Sequence, residues 1–192
     1  MYYATLIGVN MITLKSEITR KLLNYFFLNP HEDLYVNEIE RKLHLDKRNL
    51  VKKIRELELH GILKHETRGN LKLYSINQSF LHYTEYRKII LSTLGFEDQL
   101  KTLLKLRGDI RGAYLYGSYA QDAMDSSSDI DLLVISEGSA ISLQKSLSKL
   151  QKEIQREINV INMNEKEFKN RLKKKDPFLS QIFKQKNIKL IP

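Results

Sequence analysis

From residue 16 to 28, SEITRKLLNYFFL, apolar side chains recur at Ile18, Leu22 and Phe26, a spacing that predicts a helix with one apolar stripe. Ser16 is a good N-cap with Glu17 in the first turn, and Asn29-Pro30 ends the helix. In YVNEIERKLHL, Val36, Ile39 and Leu43 predict a second, shorter helix. After the tight connection His44-Leu45, Asp46 caps a third from Lys47 to His60, striped by Leu50, Ile54 and Leu57. Beyond Gly61 the helical period gives way to alternation. Residues 62–67 and 71–76 predict two short strands around the turn Arg68-Gly69-Asn70.

Residues 80 to 106 contain no proline and one glycine. Tyr86, Ile89, Ile90 and Leu94, then Leu100, Leu103 and Leu104, predict one long helix or two joined near Gly95. The apolar side of this stretch suits packing either on a second domain or on a second copy of the chain, as in a homodimer. IRGAYLY (110–116), IDLLVIS (130–136) and EINVINM (157–163) then read as strands. Phe168 and Leu172 before Pro177, and Phe178, Leu179, Ile182 and Phe183 after it, predict helices anchored to a sheet.

With 192 residues and 42% hydrophobic composition, the chain has enough material for one domain or two small ones, and the change of pattern favours two. The absence of cysteine excludes disulfides and thiolate zinc sites and fits a reducing, cytoplasmic setting. The five histidines never fall at metal-ligand spacing. No apolar run approaches the roughly 18 residues of a membrane span, and the N-terminus lacks the marks of a signal peptide. Met1 and Met11 are both candidate starts.

The net charge of +9, from 32 Lys and Arg against 23 Asp and Glu, favours polyanionic partners. Part of it lies in the C-terminal stretch from Glu165 to Lys189, where nine Lys and Arg against three acids suit either a nucleic-acid acceptor or a solvated face, and part in the third helix and the hairpin. In that helix and hairpin Lys47, Arg48, Lys52, Lys53, Arg55, Lys64, Arg68 and Lys72 face only Asp46, Glu56, Glu58 and Glu66. Helix, helix, basic helix and hairpin in that order resemble a winged helix-turn-helix domain of the regulator type. That resemblance implies double-stranded DNA as a partner, contacted through Lys47, Arg48, Asn49 and Lys52 at the start of the third helix and Arg68 at the wing tip. Lysine-rich surfaces that serve only solvation, and winged modules that bind protein, are the competing expectations.

The second half carries a different chemistry. Gly117-Ser118 ends one predicted strand, and Asp129-Ile130-Asp131 opens the next. Alternation along a strand points Asp129 and Asp131 to one face, where two carboxylates repel unless a cation lies between them. Oxygen-only ligation of this sort suits magnesium or manganese. Glycine admits close backbone approach to an anion, and the serine hydroxyl adds a donor, so the turn is suited to a nucleoside triphosphate.

Gly117-Ser118, Ala120, Ser128, Asp129-Ile130-Asp131 and the apolar Leu132-Leu133-Val134 together resemble the DNA polymerase beta-like nucleotidyltransferase superfamily in its minimal form. Asp122 departs from the glycine usual there. The stretch from 156 to 191 resembles the tail of such domains fused to a winged helix in microbial transcription regulators. The resemblance implies an α+β protein: an N-terminal winged helix-turn-helix at 12–78, a helical connector at 79–107, and a polymerase beta-like nucleotidyltransferase α/β domain with a small mixed sheet at 108–192. It also implies that Asp129 and Asp131 are catalytic metal ligands, and that Gly117 and Ser118 bind the triphosphate.

Members of the superfamily present a third carboxylate from the following strand. The corresponding position here is Asn159, with Glu157 two residues earlier on the same face. Three expectations follow: a magnesium-dependent enzyme passing a nucleoside monophosphate to an acceptor, a DNA-binding regulator whose second domain is an inactive nucleotide sensor or relic, or an antitoxin-like partner module.

Overall fold

The structure is a computed structural model that describes residues 16–125 and 127–191. The alternative start at Met11 and the first residues of the predicted 12–78 domain lie outside the described residues. The chain divides into two compact units, one ending at Gly95 and the other beginning at Phe96.

The first unit contains α1 (Glu17–Leu28), β1 (Leu34–Tyr35), α2 (Val36–Leu43), α3 (Lys47–Leu59), β2 (Leu63–Arg68), β3 (Leu71–Ile76) and α4 (Tyr83–Thr93). Ser16 caps α1 by accepting from the Thr19 amide, and Asp46 caps α3 by accepting from the Asn49 amide at 3.0 Å. Leu22 and Phe26 of α1, Ile39 of α2, and Leu50, Ile54 and Leu57 of α3 are fully buried and share one core with Ile62, Leu63 and Ile76. The strands form an antiparallel sheet in the order β1-β3-β2, with β2 and β3 in register from Leu63↔Ile76 to Arg68↔Leu71.

That register corrects the predicted turn. Arg68 is the last paired residue of β2, so Gly69 and Asn70 alone make the loop, with Gly69 in the left-handed region at φ +61°. The two-residue strand β1, which no periodicity in the sequence announces, pairs Leu34 and Tyr35 with Tyr74 and Leu73.

The second unit contains α5 (Phe96–Lys105), β4 (Ile110–Tyr116), the single turn α6 (Gly117–Ala120), β5 (Ile130–Ser136), α7 (Ala140–Ile154), β6 (Ile158–Met163), α8 (Glu165–Lys173), α9 (Pro177–Lys184) and β7 (Ile188–Ile191). The predicted helical stretch around Gly95 is therefore two helices, α4 in the first unit and α5 in the second. The four-stranded sheet runs β6-β5-β4-β7, parallel between β5 and β6 and antiparallel elsewhere, which makes it a small mixed sheet. Helix α7 supplies the crossover that a parallel β5-β6 pair requires.

Register places Tyr116, Asp131 and Asn159 side by side across β4, β5 and β6, followed along the same face by Tyr114, Leu133 and Ile161. The apolar part of this face is covered by Leu179 and Ile182 of α9, with Phe168 and Phe178 packed beside them. Ile130, Leu132 and Val134 point the other way and are fully buried, on the side where α7 contributes Leu143, Leu147 and Ile154. The predicted anchors Leu172 and Phe183 are partly exposed, at 42% and 38%, and α8 buries no residue fully. Phe183 nonetheless anchors α9 to the sheet as predicted, its ring meeting Tyr114 of β4 edge-on at 5.2 Å and Phe168 of α8 at 6.0 Å.

Among the described residues, no helix is long and apolar enough to cross a membrane.

Candidate functional site

Strand β4 ends at Tyr116, and the chain turns at Gly117 with φ +69° into α6. A Cβ at Gly117 would lie 2.3 Å from Asp131 Oδ2 and 3.2 Å from its Cγ, so the carboxylate occupies the space that a side chain would need. Glycine is required here twice over, for the left-handed backbone and for the close approach. The Gly-Ser turn and the strand carboxylate are thus one constellation.

Asp131 lies opposite Asn159, whose Nδ2 donates to Asp131 Oδ1 at 3.3 Å. Burial pushes the Asp131 carboxyl above the usual carboxylate range; the Asn159 hydrogen bond opposes that rise and the charge of Asp129 adds to it. On the other flank, burial first and the negative charge of Asp131 second push the Tyr116 phenol up to about 12. The Tyr116 ring meets Phe178 edge-on at 5.8 Å, which holds it against the covered face. Asp129 is exposed and immediately precedes β5. Ser118 sits in α6, where its carbonyl accepts from the Ala123 amide at 2.9 Å.

The loop carrying Asp129 is tied at several points. Asp125 accepts from the Ser127 amide at 2.8 Å and from the Ser127 and Ser128 hydroxyls, both at 2.9 Å. These bonds hold its carboxyl below the usual range. Arg156, only 8% exposed, donates from Nη1 to the carbonyls of Asp125 at 2.9 Å and Ser128 at 2.6 Å. Asp122, where the sequence departs from glycine, adopts φ +57° and is ion-paired with Lys186. Aspartate tolerates that conformation through its short polar side chain, and the ion pair joins the turn after α6 to the segment leading into β7.

Glu157 is exposed, and its carbonyl accepts from the Ile130 amide at 3.0 Å. With Asp129, Gln151, Lys152 and Asn159 it lines an open polar depression of about 860 Å³ between α7 and β6.

A divalent cation fits the donor chemistry of Asp129 and Asp131: both offer anionic oxygen, and Asp131 is held against Gly117 with its carboxyl raised partly by its like-charged neighbour. A second cation does not fit equally well. Among the described residues no group of three or more acidic, histidine or cysteine side chains is placed to hold a metal, and the neighbour that faces Asp131 is an amide.

In the first unit, Lys47, Arg48, Asn49 and Lys52 are all exposed in the first two turns of α3. Arg48, Asn49 and Lys52, joined by Val51 and Arg55, line an open depression of about 580 Å³. Arg55 is marked in the sequence only by its share of the charge excess. The fifth predicted contact, Arg68, is differently placed: it bridges Asp33 at 2.6 Å and Glu66 at 3.3 Å. Lys53 is similarly engaged with Glu56 at 2.6 Å.

Residues 98–188 match the family model described as Polymerase beta, Nucleotidyltransferase, a span just under half of the chain. The match covers most of the second unit, which is similar to that family from α5 to the start of β7. Among solved structures, a crystal structure of a mutant of the toxin-antitoxin pair MntA-HpeT is similar at 20% identity and a TM-score of 0.37, covering 49% of this chain and 71% of that one. No curated protein matches the sequence.

Proposed function

We propose that the second unit binds a nucleoside triphosphate with one divalent cation and passes the nucleoside monophosphate to an acceptor hydroxyl or phosphate, and that the first unit is a winged helix-turn-helix that binds duplex DNA. The observation that carries the first part is the contact between Gly117 and Asp131: it brings a phosphate-compatible turn against a carboxylate suited to a metal. Asp129 and Asp131 hold the cation, Gly117 and Ser118 receive the phosphates, and Tyr116 and Phe178 support Asp131 from the covered side of the sheet. When bound, the cation neutralises charge on the phosphates and polarises the transferred group. The protein's share is positioning, which nucleotidyl transfer chiefly needs.

Titration of wild type with ATP, CTP, GTP and UTP in the presence of Mn²⁺ should reveal binding of at least one of them. Asp129→Asn removes one of two charged ligands and should cost about 2 kcal/mol or more, about a thirtyfold rise in Kd. Equal affinity in the variant would refute the assignment of the metal to this pair.

A second reading, a nucleotide sensor without turnover, is favoured by Asn159. An amide donates a hydrogen bond to Asp131 where a carboxylate would ligate a second ion or accept a proton. Conversion of Asn159 to an acid separates the two readings, because only a transfer-competent site gains turnover from an added base.

For the first unit, support comes from the exposed cluster Lys47, Arg48, Asn49 and Lys52 on α3 and from the three-helix and hairpin order. Affinity for duplex DNA should fall as salt rises. The double variant Lys47→Glu with Arg48→Glu should weaken binding and flatten the salt slope by about two, roughly one per phosphate contact removed. Arg68→Ala should change affinity much less, because its guanidinium already serves Asp33 and Glu66. Fluorescence anisotropy over a salt series measures all three proteins, and a salt-independent affinity would exclude this mode of binding.

A further inference from the structure

The side chain of Arg156 crosses to the loop before β5 instead of entering solvent. It follows the left-handed cap of α7 at Gln155 and stands two residues before β6, the strand that flanks Asp131 on one side. A buried guanidinium requires partners that offset its desolvation, and two of them are main-chain carbonyls, those of Asp125 and Ser128. Ser128 directly precedes Asp129. The Asp129 backbone is thus pinned from below by a fixed cation, while the Ile130 amide is bonded to the carbonyl of Glu157, the residue after Arg156.

We infer that Arg156 is a positioning residue for the metal-binding carboxylate: it fixes the loop so that Asp129 stands beside Asp131. This rests on the assignment of the cation to Asp129 and Asp131. Asp131 needs no such help, since it is set within a paired strand and packed against Gly117. Asp129 is exposed and lies outside the strand, so its position depends on the loop. Inside that loop the Asp125 carboxylate knots the two serines to itself, which organises the turn locally. Two bonds that tie this knot to another element come from Arg156.

Both bonds leave from the same nitrogen, Nη1. A lysine ammonium carries three donors on one atom and can satisfy both carbonyls, whereas methionine fills the space and donates nothing. The chemistry therefore distinguishes donation from packing.

The test is Mn²⁺ binding in the presence of ATP, followed by the electron paramagnetic resonance of the ion, with thermal melting measured on the same samples. Wild type binds. Arg156→Met is expected to weaken Mn²⁺-ATP binding by about 10- to 100-fold, the usual consequence of losing a group that orients a metal ligand. Arg156→Lys is expected to recover most of the affinity even where its melting temperature falls, which a purely structural role would not produce. Should Arg156→Met fail to fold, Arg156→Leu, which likewise donates nothing, carries the same comparison. A folded Met or Leu variant that binds within about twofold of wild type, or a Lys variant no better than Met, overturns the inference. If wild type itself does not bind, the metal assignment fails first; binding by wild type together with indifference to Arg156 removes only the positioning role.

Discussion

Asn159→Asp is expected to raise nucleotidyl transfer by about 10²- to 10⁴-fold, the range a well-placed general base contributes. Asn159 is the cross-strand neighbour of Asp131, and its amide already reaches that carboxylate at 3.3 Å. An aspartate there has almost the same shape but reverses the interaction, from a donated hydrogen bond to repulsion between anions. Without metal the variant should therefore melt lower than wild type. With Mn²⁺ it should regain more stability than wild type does, because the added carboxylate increases affinity for the ion in the folded state alone. Release of pyrophosphate from ATP, read alongside incorporation of labelled AMP into protein and nucleic acid, measures the gain. Stronger Mn²⁺ binding with no gain in transfer would leave the second unit as a nucleotide-binding domain, and the sensor reading would stand.

Gly117→Ala should damage the same site from the opposite side. Placing a side chain in the left-handed region costs roughly 1–2 kcal/mol by itself. The new Cβ would also fall 2.3 Å from Asp131 Oδ2. Relief requires Asp131 to swing away, and its other oxygen is bonded to Asn159. Binding of Mn²⁺-ATP should drop by about tenfold or more, as expected when a metal ligand loses its orientation. Gly69→Ala supplies the control. Gly69 has φ +61°, and a Cβ added there would meet nothing within 4 Å, so its substitution tests backbone conformation alone. Chemical denaturation should show a stability loss in both variants, while only Gly117→Ala should lose nucleotide. Unimpaired binding in Gly117→Ala would mean that the Gly117 contact with Asp131 has no part in the site.

The strands flanking the candidate site were legible because their signals are local. Largely apolar runs bounded by Gly117-Ser118 and Asp129 mark β4 and β5, and capped stripes mark α1 and α3, with Ser16 and Asp46 making the expected hydrogen bonds. Two strands escaped. Leu34–Tyr35 is too short to show a period, and Ile188–Ile191 becomes a strand by pairing with β4, far away in sequence. Arg156 escaped for a related reason: a single arginine before a strand carries no pattern, and its role depends on carbonyls 28 and 31 residues away. Arg68 looked free at a turn, yet Asp33 arrives from a different part of the chain to bind it.

Residue order alone determined most of the helices and strands, the charge excess, and the presence of Gly117-Ser118 with Asp129 and Asp131, since each depends on neighbours within a few positions. Tertiary structure decided which groups meet: Gly117 against Asp131, Asn159 beside it, Arg156 beneath the loop, Arg68 withdrawn into an ion pair. Those meetings depend on strand register and on close packing between distant segments, and local periodicity encodes neither.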